Sequence, residues 1–447
     1  MGAITWDQVL IAASIAGITY LVLRLLTLKP FEPFPIIGHA YQFGVMDRQG
    51  QVEWLLAAQK HSEQGPMQLV VPGVLSQGHI VSDPASLKYV ALNKHLVMNK
   101  QGYFADCVKD LWGQGIILVT GDLWHAQRHA SQTFTTADTL DVLTTSTLPR
   151  HLSILTDALD QAAATGEIID LSELVSQYIF AVFGDLAWDV SWDEVAPLAE
   201  VYDRTVAALS RRFSIPAFRF WERILPYGHR LRADLAKIRQ MTNAALSFAN
   251  AGRGTSSQAI TWGLYELIRH PAWVERLRKA LAENPDVPAS ERLSQIPRLE
   301  HFVSETLRFH PSAPIDLVQL HSDSPVSLPN GAVVEPEAIV FWSPWAMNRD
   351  KNVFGADAEE FDPERWEFMH KRPTAFEMPT FHGGARSCLG QAMARLEMGY
   401  VIAEVVARYD LTAAWEGERR LSKAGLGGEM QDGLPVRVRL RAGRGDV

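Results

Sequence analysis

The chain has 447 residues, with 42 lysines and arginines against 51 aspartates and glutamates, which gives a net charge of −9. This acidic balance excludes a general nucleic-acid binder, which would carry a basic surplus or patch. A hydrophobic content of 47% predicts a sizeable core and excludes a disordered chain. Two cysteines, Cys107 and Cys388, are too few for a disulfide framework or a cysteine-rich zinc site, so we expect a reducing compartment.

The first 28 residues contain an apolar run from Val9 to Leu28 in which Arg24 is the only charged residue. A bilayer core requires about 20 apolar residues, so this run is long enough to span one. Basic residues follow the run instead of preceding it, which predicts a membrane anchor with a cytosolic body. A cleaved signal peptide and a buried helix are the alternatives. The proline-rich stretch at 29–40 predicts a stiff hinge after the anchor.

Residues 41–447 show no repeat of fixed period and no long linker, which predicts one large domain that is mainly helical with a minor β component. Runs rich in β-branched residues predict strands, and apolar residues spaced three or four apart predict helices. Strands are expected at 67–75, 79–83, 332–343 and 436–442, and helices at 147–164, 229–254 and 391–409.

The segment 381–400 places Cys388 in a glycine-rich loop directly before an amphipathic helix. Gly384 and Gly390 permit a close approach of the backbone to a flat ligand. Backbone N–H groups at the helix start can hydrogen-bond to the sulfur, and Arg386 offers a guanidinium to a carboxylate on the same ligand. A thiolate of this kind suits haem iron, onto which it pushes electron density.

The loop resembles that of the cytochrome P450 haem-thiolate monooxygenases, whose pattern is F-x-x-G-x-R-x-C-x-G. Every fixed position is matched, by Phe381, Gly384, Arg386, Cys388 and Gly390. The resemblance implies the cytochrome P450 fold and a haem b cofactor with Cys388 as the axial ligand of the iron. It also implies that Arg386 pairs with a haem propionate and that Phe381 shields the sulfur. A buried cysteine in an ordinary loop is the alternative.

Two upstream segments resemble the same family. Glu305 and Arg308 stand at i and i+3, where side chains on a helix can pair, and FDPERW supplies Arg365. The resemblance implies a buried triad of these three residues that braces the haem loop. Trp124 and Arg128 stand at i and i+4, and the family assigns them to a haem propionate. Solvated surface charges and a core tryptophan are the alternatives.

The segment 251–256 occupies the place of the family's distal helix, whose pattern is A/G-G-x-D/E-T. Ala251, Gly252 and Thr255 match, which implies room for dioxygen and a hydroxyl that assists proton delivery. Gly254 stands where the family has an acid, so the usual acid–alcohol pair is incomplete. A threonine hydroxyl that bonds its own helix backbone is the alternative.

Two further departures from the family pattern stand out. Val318 lies near the place where related chains carry an arginine that faces a propionate, and His321 is the nearest basic residue. The interval from Phe134 to Ala251 is short, which predicts that a helix or two above the substrate pocket is missing.

Substrate specificity is expected to depend on the loop at 101–119 and on residues 312–318, with Cys107 a packed hydrophobe rather than a functional thiol. A reductase is expected to dock on the proximal side. The possible contacts are His125, His129 and Arg395, although exposed charges there are more often only solvated.

The amino-acid sequences of segments 302–314 and 352–366 are most similar to the fungal microsomal branch of this family, which includes alkane and fatty-acid hydroxylases. The resemblance implies a single-pass protein of the endoplasmic reticulum membrane with a cytosolic catalytic domain. It also implies electrons from a membrane-bound NADPH reductase and an apolar substrate, either fatty-acyl, terpenoid or a polyketide secondary metabolite. The alternatives are a reductase-independent haem-thiolate isomerase or dehydratase, a truncated non-catalytic member, and a zinc protein that uses Cys388 and His382.

Overall fold

Helices predominate in the computed structural model. It describes residues 19–20, 46, 48–62, 67–69, 78–93, 97–100, 102–188, 192–213, 218–238, 243–417, 419–423 and 427–441. The predicted anchor, apart from Thr19 and Tyr20, and the predicted hinge at 29–40 lie outside these residues. Among the helices in the described ranges, none combines the length and apolar character needed to cross a bilayer.

The helices are labelled α1 to α18 in chain order. They are α1 Arg48–Ser62, α2 Pro84–Leu92, α3 Tyr103–Trp112, α4 Gly121–Ser131, α5 Ala137–Val142, α6 Leu148–Thr165, α7 Leu171–Trp188, α8 Trp192–Ser210, α9 Phe218–Ile224, α10 Pro226–Ile238, α11 Asn243–Arg269, α12 Pro271–Ala282, α13 Arg292–Gln295, α14 Pro297–Phe309, α15 Pro344–Met347, α16 Lys351–Phe354, α17 Arg365–Phe368 and α18 Gln391–Arg408. Proline stands first in both α12 and α14, where its missing N–H and fixed φ suit a helix start.

The strands form small sheets at the side of the helices. They are β1 Met67–Leu69, β2 Gly78–Ile80, β3 Val97–Asn99, β4 Ile169–Asp170, β5 Asp316–His321, β6 Val326–Ser327, β7 Val333–Val334, β8 Ile339–Trp342, β9 Tyr409–Ala413 and β10 Pro435–Leu440. The largest sheet has the order β1-β2-β8-β5-β3, and the others have the orders β4-β10-β9 and β6-β7. β5 pairs antiparallel with β8, so that Asp316 lies opposite Trp342.

The main core lies where α11 packs against α7 and α18, with α6 and α14 beside them. Gly252 on α11 permits this contact, because a Cβ atom there would lie 1.8 Å from the ring of Phe183 on α7. Each fully buried aliphatic or phenyl side chain contributes about 1.5–3 kcal/mol relative to exposure. The core includes Leu155, Val175, Tyr178, Ile179, Ile260, Leu264, Phe302, Val303, Val401 and Ile402.

The helices predicted at 147–164 and 391–409 correspond to α6 and α18. The stretch predicted as helical at 229–254 is divided between two helices, since α10 ends at Ile238 and α11 begins at Asn243. The segment 101–119, which we expected to be a loop, contains α3. This helix buries Phe104, Cys107, Val108 and Leu111, whose spacing is that of one helix face.

The short interval from Phe134 to Ala251 is filled by α5 to α10, and α11 begins at Asn243. About two turns of α11 therefore precede Ala251. Helices α8 and α10 pack together with an ion pair between Arg204 and Asp234, whose two nitrogen–oxygen distances are both 2.9 Å.

Candidate functional site

The cysteine loop, residues 381–390, is closed by hydrogen bonds to both sides of Cys388. The backbone N–H of Cys388 donates to the carbonyl of Phe381 at 2.8 Å. The backbone N–H groups of Gly390 and Gln391, at the start of α18, donate to the Cys388 sulfur. Gly384 has φ +76° and is pressed against α2, because a Cβ atom there would lie 2.7 Å from the carbonyl oxygen of Ala91. The loop thus presents its sulfur in a fixed direction.

The Cys388 side chain is accessible to solvent, although protein surrounds it on most sides. Burial raises the pKa of the Cys388 thiol, while the N–H groups of Gly390 and Gln391 and the guanidinium of Arg128 lower it. The last three contacts all stabilise a thiolate.

Two guanidinium groups lie beside the cysteine loop. Arg128 on α4 donates to the carbonyl of Ser387 at 2.7 Å. Arg386 donates to the carbonyls of Ile116 and Val119 at 3.3 and 3.0 Å. Its guanidinium carbon lies 4.3 Å from the ring centre of Trp124, which stands one turn before Arg128 on the same helix.

Desolvation lowers the pKa of Arg386 to about 10, and the nearby positive charge of Arg128 adds to this effect. In the described ranges, no carboxylate forms an ion pair with either guanidinium. Repulsion between two adjacent, partly desolvated guanidiniums destabilises the fold, and a ligand that carries carboxylates would offset this repulsion. The donor set beside the Cys388 sulfur therefore fits haem, which carries two propionates.

The structure brings Glu305, Arg308 and Arg365 together in a buried cluster. Arg308 donates to both Glu305 oxygens at 2.8 and 2.7 Å, and Arg365 lies 3.4 Å from one of them. The indole of Trp366 donates to Glu305 at 2.9 Å. Glu305 and Arg308 are both 0% exposed. Because each buried charge has partners, the cluster avoids the penalty of an unpaired ion and holds α14 to α17.

Hydrogen bonds of Asn348 connect this cluster with the cysteine loop. The sequence did not indicate a role for Asn348. The Asn348 amide donates to the carbonyl of Arg308 and to the hydroxyl of Thr380, both at 2.9 Å. Thr380 in turn donates to the carbonyl of Leu307 at 3.1 Å and directly precedes Phe381. Two of these three bonds end on backbone carbonyls and the third joins residues 32 positions apart, so no local side-chain pattern in the sequence indicates them.

The matched residues of the distal segment lie on α11, which continues as a helix through 251–256. The Thr255 hydroxyl donates to the carbonyl of Ala251 at 2.5 Å, so it bonds its own helix. Ser312 donates to the carbonyl of Thr255 at 2.8 Å. At Gly254 no other atom lies within 4 Å of the position that a Cβ would take. Gly252 serves the contact between α11 and α7 described above.

The two expected specificity segments meet in the structure. Leu317 on β5 packs against the apolar cluster that contains Phe104, Cys107 and Leu118. Cys107 is 0% exposed, and burial raises the pKa of its thiol to about 12, which fits a packed hydrophobe. Val318 is buried in the neighbouring sheet core.

Other expected residues lie elsewhere. Arg395 is half-buried and donates to Glu300 at 2.9 Å. His125 and His129 are exposed on α4. His321 pairs with Glu337 at the far end of β5. The zinc alternative, built on Cys388 and His382, is not supported, because the described residues contain no group of three possible metal ligands.

Comparison with known proteins agrees with this geometry. A family model for cytochrome P450 matches residues 236–427. Cytochrome P450 94A1 of Vicia sativa is 23% identical over 92% of this chain and 90% of its own length. The cytochrome P450 monooxygenase cyp1 of Mycosarcoma maydis is 24% identical over 74% of this chain and 62% of its own length.

Among solved structures, the haem domain of a cytochrome P450DA mutant superposes with a TM-score of 0.76 at 15% identity. The match covers 93% of this chain and 98% of that domain, and it establishes the fold. Fold, family model and relatives lead to one conclusion. The chain has the fold of the cytochromes P450 and is similar to that family in sequence, which indicates a haem-dependent monooxygenase.

Proposed function

We propose that Cys388 is the axial thiolate ligand of the haem iron and that Arg386, Arg128 and Trp124 hold the haem propionates. The observation that carries this proposal is the occurrence of two features side by side at the cysteine loop. The Cys388 sulfur receives two backbone N–H groups, and beside it stand two guanidiniums that have no carboxylate partner among the described residues. Bound haem supplies the one-electron redox chemistry and the activation of dioxygen.

The remaining residues of the chain position this site. We assign Phe381 to shield the sulfur from solvent, since it packs on the main core and its carbonyl holds the Cys388 N–H. The cluster of Glu305, Arg308 and Arg365 braces the loop from behind. On the opposite side, Ala251, Gly252 and Thr255 form the distal wall, where the Thr255 hydroxyl can hold and pass a proton.

We further propose that the substrate is apolar, of the fatty-acyl, terpenoid or polyketide class. Support comes from the apolar cluster through which α3 meets β5, because it joins the two segments expected to contact substrate. An apolar pocket with few polar groups selects a substrate mainly by shape and burial. The similarity to the fungal branch of alkane and fatty-acid hydroxylases points to the same class.

The location and redox partner are also proposals. The apolar run at 9–28 supports a single-pass anchor in the endoplasmic reticulum membrane, followed by the hinge at 29–40 and a cytosolic catalytic domain at 41–447. A membrane-bound NADPH reductase would then deliver electrons on the proximal side, where His125 and His129 are exposed.

A second candidate is a reductase-independent haem-thiolate isomerase or dehydratase. Two observations favour it: position 254 has no acid, and the Thr255 hydroxyl is bonded to its own helix. A reaction without dioxygen activation would not need the acid–alcohol pair. Dependence of product formation on NADPH and reductase separates the two candidates.

The test uses the full-length chain in membranes and the carbon monoxide spectrum of the reduced protein. We expect a thiolate-type Soret band for the native chain and its loss in Cys388→Ser. Cys107→Ser is the matched control, because it removes the other cysteine and should retain the band. A thiolate-type band that survives in Cys388→Ser would exclude Cys388 as the ligand.

A further inference from the structure

Three polar side chains meet between the five-stranded sheet and the cysteine loop. The Lys100 ammonium pairs with Asp316, the first residue of β5. The other carboxylate oxygen of Asp316 lies 3.0 Å from Nε2 of His382, which belongs to the cysteine loop. The backbone N–H of Leu317 also donates to Asp316, at 2.7 Å. The Asp316 side chain is only 7% exposed, so these contacts replace most of its hydration.

Burial and neighbouring groups determine whether Asp316 and His382 carry a charge. Burial alone would raise the pKa of Asp316, but Lys100, His382 and the N–H of Leu317 outweigh it and lower that pKa, so Asp316 is a carboxylate. Burial lowers the pKa of His382 more than Asp316 raises it. At neutral pH the uncharged imidazole therefore lies against a carboxylate, with its Nε2 3.0 Å from one oxygen of Asp316. Lys100, 4.9 Å from the ring centre of Phe104, balances the charge.

The backbone of His382 is held in an unfavourable conformation. Its φ is +58°, in the left-handed region that side chains other than glycine rarely adopt. Such a conformation persists only where surrounding contacts hold it. The 3.0 Å contact with Asp316 and the edge-on ring of Trp342, whose centre lies 5.7 Å from that of the His382 ring, are contacts of this kind.

This conformation acts on Cys388 through the backbone. His382 follows Phe381, whose carbonyl accepts the Cys388 N–H at 2.8 Å. The direction of that carbonyl depends on the peptide plane between Phe381 and His382. The loop is bonded to α4 through Ser387 and to α14 through Thr380, and the contact of His382 with Asp316 holds it to the sheet.

We propose that His382 is a positioning residue, held by Asp316 and Lys100, that orients the cysteine loop for binding of the iron. The proposal rests on the proposed role of Cys388 as the iron ligand. It extends the site to a strand of the sheet that no sequence pattern connected with the loop.

The test compares the ferric holoenzyme with His382→Asn. Asparagine keeps a polar side chain at this position, but its shorter side chain does not reach Asp316. We expect haem transfer to apomyoglobin to become about tenfold faster, which corresponds to the loss of about 1.4 kcal/mol of contact energy. The reduced carbon monoxide spectrum should show a larger fraction of the shorter-wavelength, non-thiolate band.

The matched control is His321→Asn, because His321 lies on the same strand as Asp316 and pairs with Glu337 at an exposed site. It should leave haem transfer and spectrum unchanged. If His382→Asn does not fold, haem transfer is measured in Asp316→Asn instead, because this variant keeps the size of the side chain but removes the charge beside His382. Faster haem transfer in Asp316→Asn supports the proposal, and an unchanged rate overturns it.

The measurements distinguish the positioning role of His382 from the role of Cys388 as the iron ligand. If the native holoenzyme shows a thiolate-type band and His382→Asn matches it in spectrum and in haem transfer, only the positioning role is overturned. If the native holoenzyme lacks the thiolate-type band, or Cys388→Ser retains it, the proposed ligand is wrong and this inference is overturned with it.

Discussion

Arg128 and Cys388 are connected through Ser387, the residue before the cysteine, because the Arg128 guanidinium donates to the Ser387 carbonyl at 2.7 Å and lies 3.5 Å from its hydroxyl. Helix α4 is thereby bonded to the cysteine loop, with a positive charge next to the sulfur. The contact uses one part of the guanidinium and leaves other N–H groups for an acidic ligand.

We expect Arg128→Gln to lower the haem content of the purified protein, because it removes both the bond to Ser387 and a cation near the expected propionates. A loss of about tenfold in haem affinity corresponds to one hydrogen bond to a charged group. The ratio of Soret to protein absorbance after gel filtration measures it. Arg150→Gln is the control, since Arg150 is exposed and pairs with Asp185. Equal haem content in the two variants would contradict the assignment.

Glu305→Gln should destabilise the fold, because it removes the carboxylate that pairs with the buried guanidinium of Arg308, although Arg365 keeps its pair with Asp357. Breaking a buried ion pair in this way costs about 3–5 kcal/mol. Urea unfolding of the apoprotein measures the loss. Glu364→Gln removes an exposed partner of Arg276 and should cost less than about 1 kcal/mol. A similar cost for the two variants would mean that the cluster is not essential to stability.

Gly252→Ala should destabilise the contact between α11 and α7, since the added methyl group would collide with the ring of Phe183. Overpacking of this kind costs about 1–3 kcal/mol. Gly254→Ala provides the comparison, because it adds the same group to the same helix in open space. That variant should be neutral or stabilised by up to about 1 kcal/mol through helix propensity. Thermal unfolding of both variants tests the difference.

Thr255→Ala should divert electrons from product to released peroxide, because the distal wall loses its hydroxyl. Gly254→Asp should have the opposite effect, since it supplies the acid that the family pattern has there and the structure leaves space for it. The ratio of peroxide to NADPH consumed in the reconstituted system measures both. An unchanged ratio in Thr255→Ala would place proton delivery elsewhere.

Glu397 makes the stability of the fold depend on pH. This residue of α18 is 0% exposed, and neither carboxyl oxygen completes a hydrogen bond within the described part of the chain, although the Ser256 hydroxyl lies nearby. Burial raises the pKa of Glu397 from 4.5 to about 8, with Ser256 opposing the shift. The folded state therefore holds a proton that the unfolded state releases.

The contribution of Glu397 is fully present below pH 4.5 and is lost as the pH rises to about 8. The slope is at most about 1.4 kcal/mol per pH unit. Glu397→Gln should remove this slope, so that its free energy of unfolding exceeds that of the native chain most at about pH 8. Urea unfolding at several pH values gives the comparison. Parallel pH profiles for the two proteins would show that Glu397 is ionised in the fold.

The cysteine loop could be predicted from the sequence because its functional groups, a thiol and a guanidinium between glycines, occur at a fixed spacing within one short segment. It also placed α6 and α18, since apolar residues recur along both at intervals of three or four. It missed α3, although the spacing of Phe104, Cys107, Val108 and Leu111 is helical.

The contacts of Asn348, Thr380 and His382 could not be predicted from sequence. Each depends on a backbone carbonyl or on a residue far along the chain, such as Asp316. Glu397 is a different case, because an acidic residue in an amphipathic helix normally faces solvent. Its full burial depends on how α18 packs against α11, which the local pattern does not specify.

The bonds of Asn348 to Arg308 and Thr380 have a consequence for how the cofactor is acquired. They join the ion cluster behind α14 to the residue before Phe381, so contacts within the polypeptide hold this end of the loop. A site that is held by its own protein loses little conformational entropy when its ligand binds. We therefore expect haem binding to require little ordering of this end of the loop and to depend on the correct folding of α14 and its partners.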